Sequence, residues 1–215
     1  MAVTQLDIKP RAAAIDYPES DGKPMTETDT HRKQMVDLLV VLEAYFRNDP
    51  QVYVAGNLMM YYVEGDPKAC IAPDVFVVRG MSRGDRRVYK VWEEGRAPDV
   101  VIELTSRSTR DEDLGSKRWI YAELGVSEYF IFDPLGDYLT PPLRGYRLVG
   151  DEYIRMEGDG TRLMSQSLGL ELRIVDSWLR LFDPEAGRFL PTPAELADEV
   201  ERLRAELAQL KGSND

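Results

Sequence analysis

The stretch from Ala97 to Pro134 constrains the fold of this chain more than any other, because two apolar runs flank a polar loop and a helical pattern there. The first run, Val100 to Ile102, leads into Glu103 and Leu104, and the second run covers residues 129–132. Short apolar runs bounded by polar residues are typical of buried strands. The stretch therefore predicts a strand, a polar loop, a helix and a second strand.

Glu103 needs a chemical explanation, because a carboxylate in an apolar strand is costly to bury unless a cation or a metal ion pairs with it. On the helix that follows, a rotation of about 100° per residue places Lys117 within the apolar arc. Two interpretations of Lys117 stay open. Its stem lies along the core and its ammonium reaches solvent, or the ammonium points at Glu103. In the second case apolar surroundings lower the pKa of Lys117, which suits proton transfer near neutral pH.

Composition narrows the classes of protein to consider. A chain of 215 residues, 43% of them hydrophobic, is typical of one soluble globular domain. It has no 18-residue apolar run, so no membrane span is expected, and its first residues lack the apolar region of a signal peptide. The single cysteine, Cys70, excludes an internal disulfide, and we expect it in the core. These features favour a cytoplasmic location.

The single histidine, His31, limits the chemistry further. A zinc site with several histidines is excluded, and a Ser-His-Asp triad would have to use His31. Because His31 lies among Asp29, Arg32 and Lys33 at a predicted helix start, we expect it on the surface. The glycine motifs of nucleotide-binding loops are absent, so no nucleotide cofactor is expected.

Periodicity and turn residues place the other elements. A helix is expected from Asp29 to Arg47, and Met35, Leu38, Leu39, Leu42 and Phe46 would form its buried stripe. Strands are expected at 52–55, 58–63 and 72–78, and antiparallel hairpins at 143–156 and 168–182. The predicted organisation is an arm (1–25), a domain (26–190) and a C-terminal helix (191–215).

Two similar segments leave the partner of Glu103 open. Ala72-Pro73-Asp74-Val75 is echoed by Ala97-Pro98-Asp99-Val100. Asp74 begins a predicted strand, whereas Asp99 and Glu103 lie four residues apart on one strand and share a face. Thr105 lies on that face too. Either aspartate can therefore pair with Glu103.

The central part of the chain resembles the Uma-type restriction endonuclease family, a branch of the PD-(D/E)XK nuclease superfamily. The resemblance covers residues 15–190 and is densest from 70 to 134. The combination of motifs is specific, although each motif alone is weak. The matching residues are Pro73-Asp74, Pro98-Asp99, Glu103 to Ser106, Ser108 to Arg110, Asp113-Leu114, Lys117, Tyr121, Gly125-Val126, Glu128-Tyr129 and Asp133-Pro134.

This resemblance implies an α/β (α+β) fold with a restriction-endonuclease-like core, in which helices flank a mixed central sheet and antiparallel hairpins extend it. It implies a metal-dependent endonuclease that hydrolyses phosphodiester bonds of nucleic acid, with DNA as the expected substrate. Asp74, Glu103 and the carbonyl of Leu104 would hold Mg²⁺ or Mn²⁺. The superfamily lysine, usually two residues after the glutamate, is replaced by Thr105 here. Its role maps onto Lys117, and Thr105 would contact the same water network.

The resemblance also suggests accessory residues. Some enzymes of the superfamily carry an extra acidic ligand on their first helix, which corresponds to Glu43 or Glu27; the alternative is an ordinary exposed glutamate. The net charge of −11 argues against DNA binding through the whole surface. A local basic excess flanks the proposed site and either contacts a phosphate backbone or forms a solvated loop. Its candidate members are Arg83, Arg86, Arg87, Lys90, Arg107 and Arg110.

The C-terminal segment has the pattern of a coiled coil. Thr192 to Glu195 forms a capping box with proline at the first helical position. Apolar residues then recur at steps of four and three: Leu196, Val200, Leu203, Leu207 and Leu210. We expect a short coiled coil in a homodimer, with packing of the helix on its own domain as the alternative.

Two further classes of function stay open. One is a catalytically idle nuclease fold that binds protein or nucleic acid and oligomerises through its C-terminal helix. The other is an acidic scaffold in which Asp74 and Glu103 lie far apart. Metal binding without cleavage would identify the first class, and the separation of the two carboxylates tests the second.

Overall fold

The computed structural model describes residues 15–20, 22 and 28–212. Most of the predicted arm, together with Glu27, lies outside the described residues. The helices are α1 (Asp29–Tyr45), α2 (Val91–Glu94), α3 (Arg110–Leu114), α4 (Ser116–Glu123) and α5 (Pro193–Gly212). The strands are β1 (Val52–Ala55), β2 (Met60–Tyr61), β3 (Cys70–Ile71), β4 (Val75–Arg79), β5 (Tyr89–Lys90), β6 (Val100–Leu104), β7 (Glu128–Phe132), β8 (Leu143–Val149), β9 (Glu152–Arg155), β10 (Arg162–Ser165), β11 (Leu170–Val175), β12 (Trp178–Asp183) and β13 (Arg188–Phe189).

A six-stranded mixed sheet forms the centre of the fold, in the order β1-β4-β6-β7-β8-β9. Strands β6 and β7 are parallel, and the other neighbouring pairs are antiparallel. A parallel pair needs a crossover, which α3 and α4 supply here. Smaller sheets, β10-β11-β12-β13 and β3-β2-β5, complete the structure. This arrangement confirms the predicted α/β fold class with a mixed central sheet and added antiparallel strands.

The two faces of the central sheet pack against different layers, because successive strand residues point to opposite sides. One face carries Val100 and Ile102 and packs against α1 and the β10–β13 sheet. The other carries Val101 and packs against an aromatic cluster that includes Tyr121 of α4. By the same alternation Glu103 belongs to the second face, where α4 covers it.

Several predicted elements have different lengths in the structure. The single helix expected between the two apolar runs is instead two helices, because the chain breaks at Gly115 (φ −115°, ψ −95°) into α3 and α4. Strand β2 covers two residues, shorter than the predicted run of 58–63. Strands β3, β5 and β13 are also two residues long, too short to leave a periodic signal.

The helices of the described residues lack the combination of length and apolar character that a membrane span requires.

Helix α5 begins with the predicted capping box and then leaves the domain surface. Thr192 Oγ1 accepts a hydrogen bond from Glu195 N at 3.2 Å, and Thr192 N donates to Glu195 Oε2 at 2.8 Å. The side chains of the predicted seam are 42–63% exposed. The alternative in which α5 packs its seam on its own domain is therefore wrong.

Candidate active site

Asp74 and Glu103 meet at the ends of two antiparallel strands. Val75 of β4 pairs with Ile102 of β6, so Asp74 lies opposite Glu103. Asp74 N donates to Glu103 Oε2 at 3.3 Å, and Leu104 N donates to Asp74 Oδ2 at 2.7 Å. Each carboxylate is thus held by the backbone of the neighbouring strand, which contradicts the scaffold class in which they lie far apart.

Asp99 lies at the other end of β6 and has different contacts. It lies four positions before Glu103, which corresponds to about 13 Å along the strand. Its carboxylate accepts a hydrogen bond from Arg79 N at 2.6 Å and pairs with Arg96 at 3.2 Å. The structure thus brings Asp74, and not Asp99, to Glu103.

Lys117, in the first turn of α4, points at Glu103 as the second interpretation of its position expects. Its Nζ lies 3.1 Å from Glu103 Oε1 and 2.8 Å from Asp113 Oδ1. The expectation of a lowered pKa is wrong. Burial alone would lower the pKa of Lys117, but the carboxylates of Glu103, Asp113 and Asp74 together raise it above its usual value. Lys117 is therefore an ammonium and not a base ready to take a proton.

Glu103 is fully buried, and Tyr121 of α4 binds it directly. The Tyr121 hydroxyl donates to Glu103 Oε1 at 2.6 Å. Burial raises the pKa of Glu103 to about 8, while Lys117 and the Tyr121 hydrogen bond oppose the rise. Burial and Glu103 also raise the pKa of Tyr121 well above its usual value, so its hydroxyl stays protonated as a donor.

His31 is buried at this site, so the expectation of a surface histidine is wrong. Its Nε2 lies 2.7 Å from the carbonyl oxygen of Leu104 and 3.4 Å from Asp74 Oδ2. The charged neighbours Asp29, Arg32 and Lys33 were the reason for that expectation. The spacing of His31 to Met35 and Leu38, four and seven residues later, places it on the buried face of α1 and is the signal that was available.

Asp113 of α3 adds a third carboxylate that the sequence argument had not assigned to the site. It is fully buried, and only the single ammonium of Lys117 lies within ion-pair distance of it among the described residues. Asp113 Oδ2 and Thr105 Oγ1 are buried and form no hydrogen bond within the described part of the chain. Asp74, Glu103 and Asp113 thus place more negative charge around Lys117 than its one ammonium balances.

Comparisons with known proteins identify the family of this chain. A family model described as "Putative restriction endonuclease", Uma2, matches residues 4–176. The chain belongs to the Uma2 family. This membership confirms the resemblance and supports a nuclease function.

One solved structure has a similar fold, a "putative nuclease belonging to DUF820" from Anabaena variabilis ATCC 29413. It is 17% identical to this Uma2 family chain with a TM-score of 0.53, and the match covers 73% of this chain and 83% of the other. At that identity the likeness shows the fold alone. A comparison with curated proteins found no match.

The accessory acidic candidate Glu43 of this Uma2 family member is not brought to the site. Glu43 is exposed on α1. It lies twelve positions after His31, which corresponds to about 18 Å along the helix. Thr105 is buried directly after β6, and its N donates to Phe132 O at 2.7 Å.

Two of the predicted nucleic-acid contacts have structural partners. Arg83 donates to the carbonyl oxygens of Phe46, Arg47 and Asp49, and so caps the C-terminal end of α1. Arg86 pairs with Glu94 at 2.7 Å, and its guanidinium lies 4.1 Å from the centre of the Tyr53 ring. Their donors are thus engaged within the domain.

The other basic candidates differ in exposure, and Lys90 is only partly exposed. Arg87 pairs with Glu19, and Lys90 pairs with Glu93 at 3.0 Å. Arg107 is exposed in the loop that follows β6. Arg110, at the start of α3, is also exposed and pairs with Asp111 at 3.0 Å. Arg107 and Arg110 are therefore the exposed basic side chains that follow Glu103 most closely in sequence.

The donor set fits a hard divalent cation with several water ligands. Among the described residues, no three side chains of histidine, cysteine, aspartate or glutamate converge as a metal cage. Mg²⁺ is usually held by only one or two carboxylates and retains water. The site meets that requirement with two neighbouring carboxylates, excess negative charge and the unsatisfied oxygens of Asp113 and Thr105.

Proposed function

We propose that this protein is a metal-dependent endonuclease that hydrolyses phosphodiester bonds of DNA at the site formed by Asp74, Glu103 and Lys117. The observation that carries the proposal is the placement of two carboxylates from neighbouring strands beside one buried ammonium, with Lys117 Nζ 3.1 Å from Glu103. Membership in the Uma2 family supports it independently.

Asp74 and Glu103 would hold Mg²⁺ or Mn²⁺, with the carbonyl oxygen of Leu104 as a third ligand. A carbonyl oxygen has two lone pairs, so the contact with His31 leaves one for a cation. When bound, such a cation lowers the pKa of a coordinated water and stabilises negative charge on the phosphorus oxygens. The Asp74 side chain is 16% exposed and Glu103 is inaccessible, so solvent and substrate approach from the side of Asp74.

Lys117 acts as a fixed positive charge in this proposal. Because three carboxylates keep it protonated, it donates hydrogen bonds to the attacking water or to a phosphate oxygen and offsets developing negative charge. Tyr121 keeps Glu103 oriented through its hydrogen bond, and Asp113 keeps Lys117 in place. His31 positions the Leu104 carbonyl.

The DNA backbone would contact the loop that follows β6. Arg107 and Arg110 are exposed there, and phosphate contacts from such residues position a duplex without reading its sequence. The net charge of −11 opposes binding elsewhere on the surface, so the contact area is small and binding weakens with salt.

Incubation of the purified protein with labelled single- and double-stranded DNA, in Mg²⁺, Mn²⁺ or EDTA, tests this function. Asp74→Ala, Glu103→Ala and Lys117→Ala are the site variants, and Asp99→Ala is the matched control at the other end of β6. We expect metal-dependent cleavage that is lost in the three site variants and retained in Asp99→Ala. Cleavage that survives in all three site variants would contradict the site. Metal binding that depends on Glu103, without cleavage of any substrate, would instead identify the catalytically idle fold.

A further inference from the structure

Helix α5 presents an apolar seam to solvent. Leu196, Val200 and Leu203 are 42–44% exposed, and Leu207 is 57% exposed. The helix is tied to the domain at its start, where Arg180 pairs with Glu195 at 2.8 Å. A 20-residue helix with such a seam is marginally stable alone and gains stability when a second helix covers the seam.

The seam has the residue types of a parallel two-stranded coiled coil. Spacings of four and three assign Leu196, Leu203 and Leu210 to heptad position d, and Val200 and Leu207 to position a. Leucine at d with a β-branched residue at a favours two parallel strands, and Val200, although not Leu207, supplies such a residue. The residue types of the seam therefore favour a pair of helices.

The charges beside the seam indicate both the partner and its direction. Position g carries Glu199 and Glu206, and position e carries Arg204 and Lys211. In a parallel pair each g residue faces the e residue five positions later in the other helix. Glu199 then faces Arg204 of a second copy, and Glu206 faces Lys211 of a second copy. An antiparallel pair would bring like charges together.

These glutamates have exchangeable partners within one helix. Arg202 lies 2.5 Å from Glu199 and 3.3 Å from Glu206, and Arg204 lies 2.8 Å from Glu201. Exposed pairs of this kind contribute little to stability. Replacing these ion pairs by ion pairs between two helices therefore costs little free energy.

We propose that α5 forms a parallel two-stranded coiled coil with a second copy of this chain. Because the domain precedes α5 in both copies, a parallel arrangement places both domains, and both candidate active sites, at the same end of the coil. An antiparallel arrangement would place them at opposite ends of a helix about 30 Å long. The proposal rests on α5 alone and holds whether or not the protein cleaves DNA.

Sedimentation equilibrium of the full chain tests the association. We expect a dimer for the native protein, a monomer for the Leu203→Glu/Leu207→Glu variant and a dimer for Ala205→Glu, which places the same charge on the outer face of α5. The exposed position of α5 leaves the domain folded, which circular dichroism checks. A native monomer, or a dimer that survives the double substitution, would overturn the proposal and leave the seam to another protein or to no partner.

Cross-linking tests the direction of the two helices. In a Cys70→Ala background, Leu210→Cys at a d position should form an intermolecular disulfide with oxidised glutathione, because d residues of parallel helices face each other. If the helices were antiparallel, each d residue would face an a residue of the other helix, and position 210 would face position 200. Disulfides would then form in a mixture of Val200→Cys and Leu210→Cys chains but not within either alone, and this result would overturn the parallel arrangement.

Discussion

The ammonium of Lys117 lies 3.1 Å from Glu103 Oε1, so a residue of α4 reaches the carboxylate of a strand residue that precedes it by fourteen positions. In the superfamily pattern the lysine follows the glutamate by two residues on the same strand. Here Thr105 occupies that place, and the positive charge comes from the helix that covers the same face of the sheet.

Replacement of Lys117 by methionine tests the role of this charge. Lys117→Met should reduce cleavage at least about 100-fold, because charge stabilisation at the reacting phosphate is lost. It also leaves Glu103 and Asp113 buried without their cation, which should lower the free energy of unfolding by about 3–5 kcal/mol. Urea denaturation and cleavage rates measure the two effects. Adding Glu103→Gln should restore part of the stability but no activity, and a double variant that regains activity would contradict the role of the ammonium.

The Tyr121 hydroxyl should affect both stability and catalysis. Tyr121→Phe removes a 2.6 Å hydrogen bond to a buried carboxylate, so we expect a loss of about 1–3 kcal/mol in unfolding free energy together with slower cleavage. Tyr89→Phe is the matched control, because the buried Tyr89 hydroxyl donates to Arg96 O at 2.8 Å and touches no site residue. Equal losses of cleavage in the two variants would show that Tyr121 acts through the fold alone.

His31 should influence metal affinity without contacting the ion. A residue that orients a metal ligand typically changes affinity 10–100-fold when replaced, so His31→Ala should weaken Mn²⁺ binding by about that factor. Gln34→Ala provides the control, since buried Gln34 on the same helix forms two hydrogen bonds with the backbone of Leu179. Titration calorimetry should show weaker binding in His31→Ala only. Unchanged affinity in His31→Ala would contradict its positioning of Leu104.

Stability in EDTA should depend on pH through Glu103. Its pKa is about 8 in the folded chain against a usual 4.5, so the folded state holds this proton more tightly. The stabilisation is fully present below pH 4.5 and is lost as the pH rises through 8. At about 1.4 kcal/mol per pKa unit, the free energy of unfolding should fall by a few kcal/mol over this range.

Glu103→Gln isolates this effect, because it removes the titrating group and should flatten the decline. The raised pKa of Lys117 affects the pH dependence of the free energy of unfolding only above pH 10.5, outside the measured pH range. Urea denaturation at intervals between pH 5 and pH 8.5 measures both proteins. Parallel profiles for the two would contradict the pKa assignment.

The elements with strong periodicity were predictable, because their patterns come from local geometry. Strand β6 has the predicted limits of Val100 and Leu104. Of the predicted stripe, Met35, Leu38 and Leu42 are buried on α1 and Phe46 is buried just after it, whereas Leu39 is only partly buried. Strand β10 was missed, since its alternating burial is carried by mixed polar and apolar residues, Arg162 to Ser165. Its position depends on pairing with β11, which local sequence does not encode.

The site was predictable only in part. Glu103 and Lys117 carried signals of their own, a carboxylate in an apolar strand and a lysine in an apolar arc. The residues alone left Asp74 and Asp99 open as the partner of Glu103, and only the family resemblance favoured Asp74. Tyr121 and His31 have contacts that arise from tertiary packing, and each resembles an ordinary core or surface residue in sequence. The pKa of Lys117 depends on how many carboxylates surround it, and Asp113 joins them from four positions earlier in the chain, across the break at Gly115.

Calorimetric titration of Mn²⁺ into matched aspartate variants shows whether a cation binds at Asp74 and Glu103. The native protein and Asp99→Asn should bind Mn²⁺ at pH 8.5, where Glu103 is mostly ionised, and Asp74→Asn should bind it at least about tenfold more weakly. That result would place the cation at the Asp74–Glu103 pair. Equal affinity in Asp74→Asn and Asp99→Asn would contradict a metal site at this pair, and with it the proposed mechanism.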